Sequence, residues 1–246
     1  MKPSFAILIL IFAVTAANAQ SLSRVLDQSN PFLNDGNGRP LYLQTTNNSE
    51  GSPYFNPEYK KANIVLEDGR MARNIKVKFD LLNNQIQYLN EKGAEMIPNL
   101  PIRSFIFVEP FFDQPRDFVM FQNGFPAIGR FTPATYYQVL DTGSIKLLKS
   151  IKVNYRDDKP YGSPEITRIY EKTVGYYAYV PDGEMIKIEK EKEVFAQIFK
   201  TRQEEILAFI NEKKLKLKTE SDYLEIFWFY QTQQNRRSTY LPKSNN

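Results

Sequence analysis

The sequence predicts an α+β fold: an antiparallel β-meander, built as a curved sheet or a small barrel, followed by a short C-terminal helical segment. Three observations carry this expectation. Apolar residues alternate with period two through residues 63–190, the mark of half-buried strands. Turn formers such as Asp68-Gly69, Asn83-Asn84 and Asp182-Gly183 interrupt that alternation at short intervals, as local hairpin connections require. From residue 191 the apolar spacing lengthens to that of a helix.

Residues 1–19 read as a cleaved signal peptide. Lys2 supplies the positive start, residues 5–14 are almost unbroken apolar, and Ala17-Asn18-Ala19 precedes Gln20. That places small residues at −3 and −1 of a cleavage site after Ala19. The apolar run is short of the roughly 20 residues a membrane span needs, and no later stretch reads as a transmembrane helix. Export to the periplasm, cell surface or extracellular space follows as the expectation.

Residues 20–62 read as a loosely structured lead-in, rich in turn formers at 34–38 and 45–53. Pro31-Phe32-Leu33 and Leu41-Tyr42-Leu43 are short enough to serve as edge strands. Asn47-Asn48-Ser49 matches an N-glycosylation acceptor, although in a bacterial protein a chance tripeptide is the better explanation.

Residues 63–190 form the β-rich part. Ile64 and Leu66 alternate ahead of the Asp68-Gly69 turn, where glycine tolerates the positive φ of a tight hairpin. Ile75, Val77 and Phe79 point one way and Lys76, Lys78 and Asp80 the other. Further strands are expected at 85–89, 103–108, 117–121 and 135–140, and around Ile151, Val153 and Tyr155. A last hairpin pairs 166–180 with 185–190 around Pro181-Asp182-Gly183.

Residues 191–230 read as three short helices. Val194, Phe195, Ile198 and Phe199 share one face of the first. Thr201-Arg202-Gln203-Glu204 has capping-box spacing ahead of Ile206, Phe209 and Ile210. Thr219 or Ser221 caps the third helix, in which Trp228 is expected to anchor helix to sheet. Helices this short need a partner for their stripes, so they are expected to dock on the sheet. Residues 231–246 read as a polar, frayed tail.

Composition narrows the chemistry. The chain has no Cys and no His. Disulfides, Ser–His–Asp and Cys–His catalysis, and zinc sites built on those ligands are therefore excluded. The formal net charge is +4, yet residues 20–186 carry 19 basic and 19 acidic residues; the excess lies in residues 187–218, with nine basic and six acidic. That is a solvated helical face rather than the dense single-sign cluster a nucleic-acid partner needs. No cofactor is expected.

The opening Gly51-Ser52-Pro53-Tyr54-Phe55 with Ile64-Val65-Leu66-Glu67-Asp68-Gly69-Arg70, the stretches 75–82 and 85–89, and the ending Phe209-Ile210, Lys213-Lys214-Leu215-Lys216 and 222–230 resemble a family of uncharacterised exported β-rich proteins of Bacteroidota-type Gram-negative bacteria. These motifs are turn chemistry and apolar pattern. The resemblance implies a periplasmic or cell-surface setting and carries over no functional residue.

The candidate chemical groups each compete with a plainer role. Glu109, Asp113 and Asp117 could form the paired carboxylates of a glycosidase, or be solvated loop acids. Asp141, Asp157 and Asp158 could hold Ca²⁺, but the Asp-x-Asp-x-Asp-Gly spacing is absent. Ser144 with Lys146, and Ser150 with Lys152, share a strand face as many residues two apart do. Tyr136, Tyr137, Tyr176, Tyr177 and Tyr179 are the candidate ligand or partner surface, against an ordinary core role, since aromatics favour strands. The expected function is a non-enzymatic exported binding or envelope-associated protein, its partner an envelope protein or a glycan. The alternatives are a carboxylate-dependent glycan-active enzyme and an outer-membrane β-barrel, the latter disfavoured by the helical ending.

Overall fold

A computed structural model describes residues 38–41, 48–111, 118–162 and 165–240, with side chains through Gln233. The signal-peptide residues Ala17, Ala19 and Gln20, and the loop acids Asp113 and Asp117, lie outside the described residues. The strands are β1 (Gly38–Pro40), β2 (Asn48–Glu50), β3 (Lys60–Leu66), β4 (Met71–Asp80), β5 (Gln85–Leu89), β6 (Glu95–Pro98), β7 (Ile102–Phe107), β8 (Val119–Gln122), β9 (Tyr137–Asp141), β10 (Lys146–Asp158), β11 (Thr167–Tyr179) and β12 (Met185–Ile188). Three helices follow: α1 (Lys192–Ile198), α2 (Gln203–Glu212) and α3 (Glu220–Tyr240).

The strands form one sheet in the order β1-β6-β5-β4-β3-β7-β8-β9-β10-β11-β12, with β2 added in parallel to the start of β11. All other pairings are antiparallel. The fold is therefore the α+β meander the sequence predicts, and the sheet stays open: β1 and β12 are its edges. The β3–β4 and β11–β12 turns place Gly69 and Gly183 at φ +86°, a conformation that costs other residues a clash between Cβ and the backbone. β6 was not expected from the sequence; it follows the Gly93 turn as four residues paired to β5 and β1.

The sheet is strongly curled. One core gathers Ile64, Val77, Phe79, Phe105, Phe107 and Phe121, yet it also includes Val153 of β10. Five inter-strand steps separate β4 from β10; in a flat sheet that is roughly 24 Å, too far for one cluster. Register shifts in β3 and β10 contribute to the bend. Residues 51–59 form a strap across the gap between β11 and β4. Gly51 abuts the Tyr170 carbonyl, Lys172 Nζ donates to the Tyr54 carbonyl at 2.9 Å, and Phe55 N–H donates to the Phe79 carbonyl at 2.9 Å. Phe55 then fills the core against Phe107, Phe111 and Phe121.

A second core joins Leu147, Ala178, Val180, Ile186 and Ile188 of the sheet to Phe195, Phe199, Ile206, Ile210, Ile226 and Phe227 of the helices. The helices thus bury their stripes on the sheet. Lys149 and Tyr176, paired across β10 and β11, both donate to the Glu220 carboxylate at 2.8 and 3.1 Å. They form a polar seam between the two cores along β10.

Several local expectations need correction. Lys78 and Asp80 are buried, at 7% and 5% exposure, because the strap covers the outer face of β4. The Thr201 capping box does not form: Lys200–Arg202 is a 3₁₀ turn and α2 starts at Gln203 without a side-chain cap. Thr219 does cap α3. Its hydroxyl accepts from Asp222 N–H at 3.2 Å, and the Asp222 carboxylate accepts from Thr219 N–H at 3.3 Å. Trp228 does not anchor the sheet; it is 63% exposed, since Tyr223, Ile226, Phe227 and Tyr230 already occupy the inner stripe. The helix also continues through Gln231 to Tyr240 rather than fraying at once.

Candidate functional site

A cleft of about 260 Å³ opens at one end of the curled sheet. It lies where the end of β3, the β4–β5 turn, the β6–β7 connection, the end of β8 and the approach to β9 converge. Glu67, Asn84, Gln85, Leu100, Asn123 and Tyr136 are among its walls. Curling brings these strand ends together, and a barrel-like mouth is a common place for a ligand. Below the cleft Tyr136 packs edge-on against Phe79 and Phe105, so the first core forms its floor.

The polar groups divide into those that build the walls and those left over. Tyr136 Oη donates to the Ile102 carbonyl at 2.6 Å, and Asn123 Nδ2 donates to the same oxygen at 2.9 Å. Asn84 uses both ends of its amide: Nδ2 donates to the Ala134 carbonyl at 2.9 Å and Oδ1 accepts from Tyr136 N–H at 3.0 Å. Burial, reinforced by the Glu67 charge, pushes the Tyr136 phenol well above its ordinary range, so it remains a neutral donor fixed on Ile102. Left over are the Glu67 carboxylate, the Asn123 amide oxygen and the Gln85 amide. They have no side-chain hydrogen-bond or ion-pair partner among the described residues. The cleft therefore offers three acceptors, with the Gln85 NH₂ as a donor beside them, to a ligand rich in hydroxyl groups.

The five tyrosines singled out from sequence do not make one surface. Tyr136 lines the cleft. Tyr137 and Tyr177 are buried, and with Tyr179 they belong to a third apolar cluster under residues 125–131, with Phe125 and Phe131. Tyr176 faces the helices, against Tyr223 and Glu220. Strand alternation separates Tyr176 from Tyr177 and Tyr179 as expected.

The acids are dispersed too. Glu109 accepts from Lys61 N–H at 3.1 Å. Asp141 holds Gly143 N–H at 2.8 Å and Gln231, whereas Asp157 binds Arg168 at 2.7 and 2.9 Å. Asp141 pairs with Leu147 near one end of β10, ten residues and roughly 33 Å from Asp157, so these acids cannot share a cation. Among the described residues no group of three acids is placed to hold a metal ion. Ser150 is buried and its hydroxyl donates to the Gly175 carbonyl at 3.3 Å, a structural role.

Sequence reasoning missed all three polar residues: Asn84 read only as a turn residue, Glu67 only as part of an alternating strand, and Asn123 carried no signal. It also missed a buried cation. Lys78 Nζ sits 4.4 Å from the Tyr54 ring centroid and 4.5 Å from that of Tyr59, with a Glu95 carboxylate oxygen at 3.8 Å. Burial raises both phenols above their ordinary value. The arrangement fastens the strap to the sheet. No described helix is long and apolar enough to cross a membrane. No family model, curated protein or solved structure matches the chain.

Proposed function

We propose that the chain is an exported, envelope-associated binding protein that holds a small polyhydroxylated ligand, such as one sugar ring or a glycan end, in the cleft at the mouth of the curled sheet. The observation that carries this reading is the surplus of acceptors around Tyr136. The Glu67 carboxylate and the Asn123 and Gln85 amides face the cleft beside apolar Leu100 and Pro101. Hydroxyl donors meet those acceptors while ring C–H groups cover the apolar wall. A volume of about 260 Å³ falls just under the range for drug-sized ligands and suits a single ring over a polymer. Among the described residues the cleft presents one carboxylate, Glu67, where glycoside hydrolysis needs two, which favours binding over cleavage. The signal-like N-terminus supports export.

Titration calorimetry and amide chemical shifts against a panel of monosaccharides and short glycans test the reading. Binding is expected to shift Gln85, Asn123 and Tyr136 amides. Glu67→Gln should weaken it about ten-fold, the value of one charge-assisted hydrogen bond. Binding whose shifts map elsewhere, or that is indifferent to Glu67→Gln and Asn123→Ala, refutes the assignment.

A further inference from the structure

The α2–α3 connection, residues 213–219, is the most positively charged loop of the described chain, and its backbone is held under strain. Lys213, Lys214, Lys216 and Lys218 are exposed, while Leu217 is buried and Leu215 packs on the helical core. Lys214 and Leu217 adopt φ of +54° and +57°, a region that costs non-glycine residues about 1 kcal/mol or more each. The strain is held by several anchors. Leu215 N–H donates to the Ile210 carbonyl at 3.1 Å, Tyr223 Oη donates to the Leu217 carbonyl at 2.9 Å, and Lys218 N–H donates to the Asp222 carboxylate at 2.9 Å. The loop thus points its leucines inward and its lysines outward in a fixed fan.

Those charges are not neutralised from within. None of the four lysines makes an ion pair with a described residue. Of the nearby carboxylates, Glu220 is engaged by Lys149 and Tyr176, and Asp222 is turned onto the loop's backbone. Glu212, and Glu191 and Glu193 at the start of α1, which Lys192 ties to Asn211, are exposed but form no ion pair with these lysines among the described residues. Lys187 of β12 and Lys200 of the 3₁₀ turn, by contrast, do have acid partners, Glu189 and Asp182. The same pair of helices carries an exposed aromatic. Phe209 of α2 stacks on Phe229 of α3 with ring centroids 4.1 Å apart. Lys213 directly follows α2, its N–H donating to the Phe209 carbonyl at 2.9 Å, and Trp228 precedes Phe229 on α3, 63% exposed.

We infer that this end of the molecule docks on an anionic lipid bilayer. Four unpaired ammonium groups complement a negatively charged headgroup layer, and an exposed tryptophan on the neighbouring helix suits the interface between headgroups and acyl chains. The contact is peripheral. It leaves the cleft free, because the cleft is built from the β3–β9 region and the lysines stand on the connection between α2 and α3.

Co-sedimentation of the full chain with phosphatidylglycerol–phosphatidylcholine vesicles tests it. The protein should bind these vesicles and not pure phosphatidylcholine, should release as salt rises, and should show a blue shift of Trp228 emission on binding. Lys213→Gln with Lys214→Gln should lower the partition coefficient about 25-fold, roughly five-fold per lysine. Trp228→Ser should weaken binding without altering its salt dependence. The lysine variants lie on the surface, and an unchanged circular dichroism spectrum verifies their fold. They should leave glycan titrations of the cleft unchanged, which separates failure of this proposal from failure of the cleft reading. Equal binding to neutral vesicles, wild-type binding by the lysine variants, or capture by soluble heparin without vesicle binding would each overturn it.

Discussion

Replacing Lys78 by Met should loosen the strap and destabilise the fold by about 2–3 kcal/mol. Met keeps most of the aliphatic stem and removes the charge. The wild-type ammonium sits 4.4 and 4.5 Å from two tyrosine ring centroids and 3.8 Å from Glu95, and the residue is 7% exposed. Each desolvated cation–π contact is worth about 2 kcal/mol. Removing one member of a buried charge pair costs about 3–5 kcal/mol when the other is stranded. The Glu95 side chain is 32% exposed, so water takes up part of its charge and the loss falls below that range. With m near 2–3 kcal/mol/M, the urea midpoint should drop by about 1 M. A double-mutant cycle with Tyr59→Leu should show coupling of about 1 kcal/mol or more. An unchanged or higher midpoint would mean that desolvating the ammonium outweighs its ring contacts, and the fastening role would be refuted.

Gly69→Val and Gly183→Val should each cost more than about 1 kcal/mol by thermal melt, because both sit at φ +86° while nothing lies within 4 Å of the added Cβ; a neutral result would contradict the hairpin geometry. Asp222→Ala should cost about 1 kcal/mol through loss of the α3 cap. Burial opposes ionisation of Asp222, but its hydrogen bonds to Lys218, Thr219 and Leu217 outweigh that and hold its carboxyl below the ordinary range. The stability is therefore present above the unfolded aspartate pKa of about 3.9 and disappears as pH falls through the lower folded value. An acid titration in which Asp222→Ala and wild type differ equally at pH 2 and pH 6 would refute this. Amides of Phe195 and Ile198 in α1 should exchange with the same free energy as Leu147 and Leu148 in β10, since one core joins α1 to β10 through Leu147; early exchange of α1 alone would make the helices an independent unit.

The fold was legible where a local rule acts alone. Asp68-Gly69 and Pro181-Asp182-Gly183 make the turns their residues demand, and Ile75, Val77 and Phe79 face the core as alternation requires. Reading failed where a distant segment overrode the local pattern. Lys78 belongs to the polar face of a strand, and only a strap carrying Tyr54 and Tyr59 makes that face interior. Trp228 sits among apolar neighbours, and only the position of the occupied stripe shows that it points outward. Thr201 and Thr219 have comparable capping patterns, yet a 3₁₀ turn takes up the first and leaves only the second to act.

The cleft was harder to read for a related reason: the residues that make turns are also those that greet ligands. Asn84 adopts φ +52° to turn β4 into β5, and its amide then ties Ala134 and Tyr136 across the mouth. Asn123 precedes Gly124, which sits at φ +84° in the connection after β8, and gives only its amide N–H to Ile102. In sequence Asn84 is simply an asparagine in a turn and Asn123 carries no signal. They separate once each amide's two ends are followed to their partners, for Asn84 is used up by the fold and Asn123 retains an acceptor. The same test separates Glu67 from Asp68: Asp68 closes on the backbone and side chain of Arg70, whereas the Glu67 side chain is left to the cleft. Adjacent acids in one turn thus serve different ends, and what decides between them is the curl of the sheet that brings the distant Tyr136 beside Glu67.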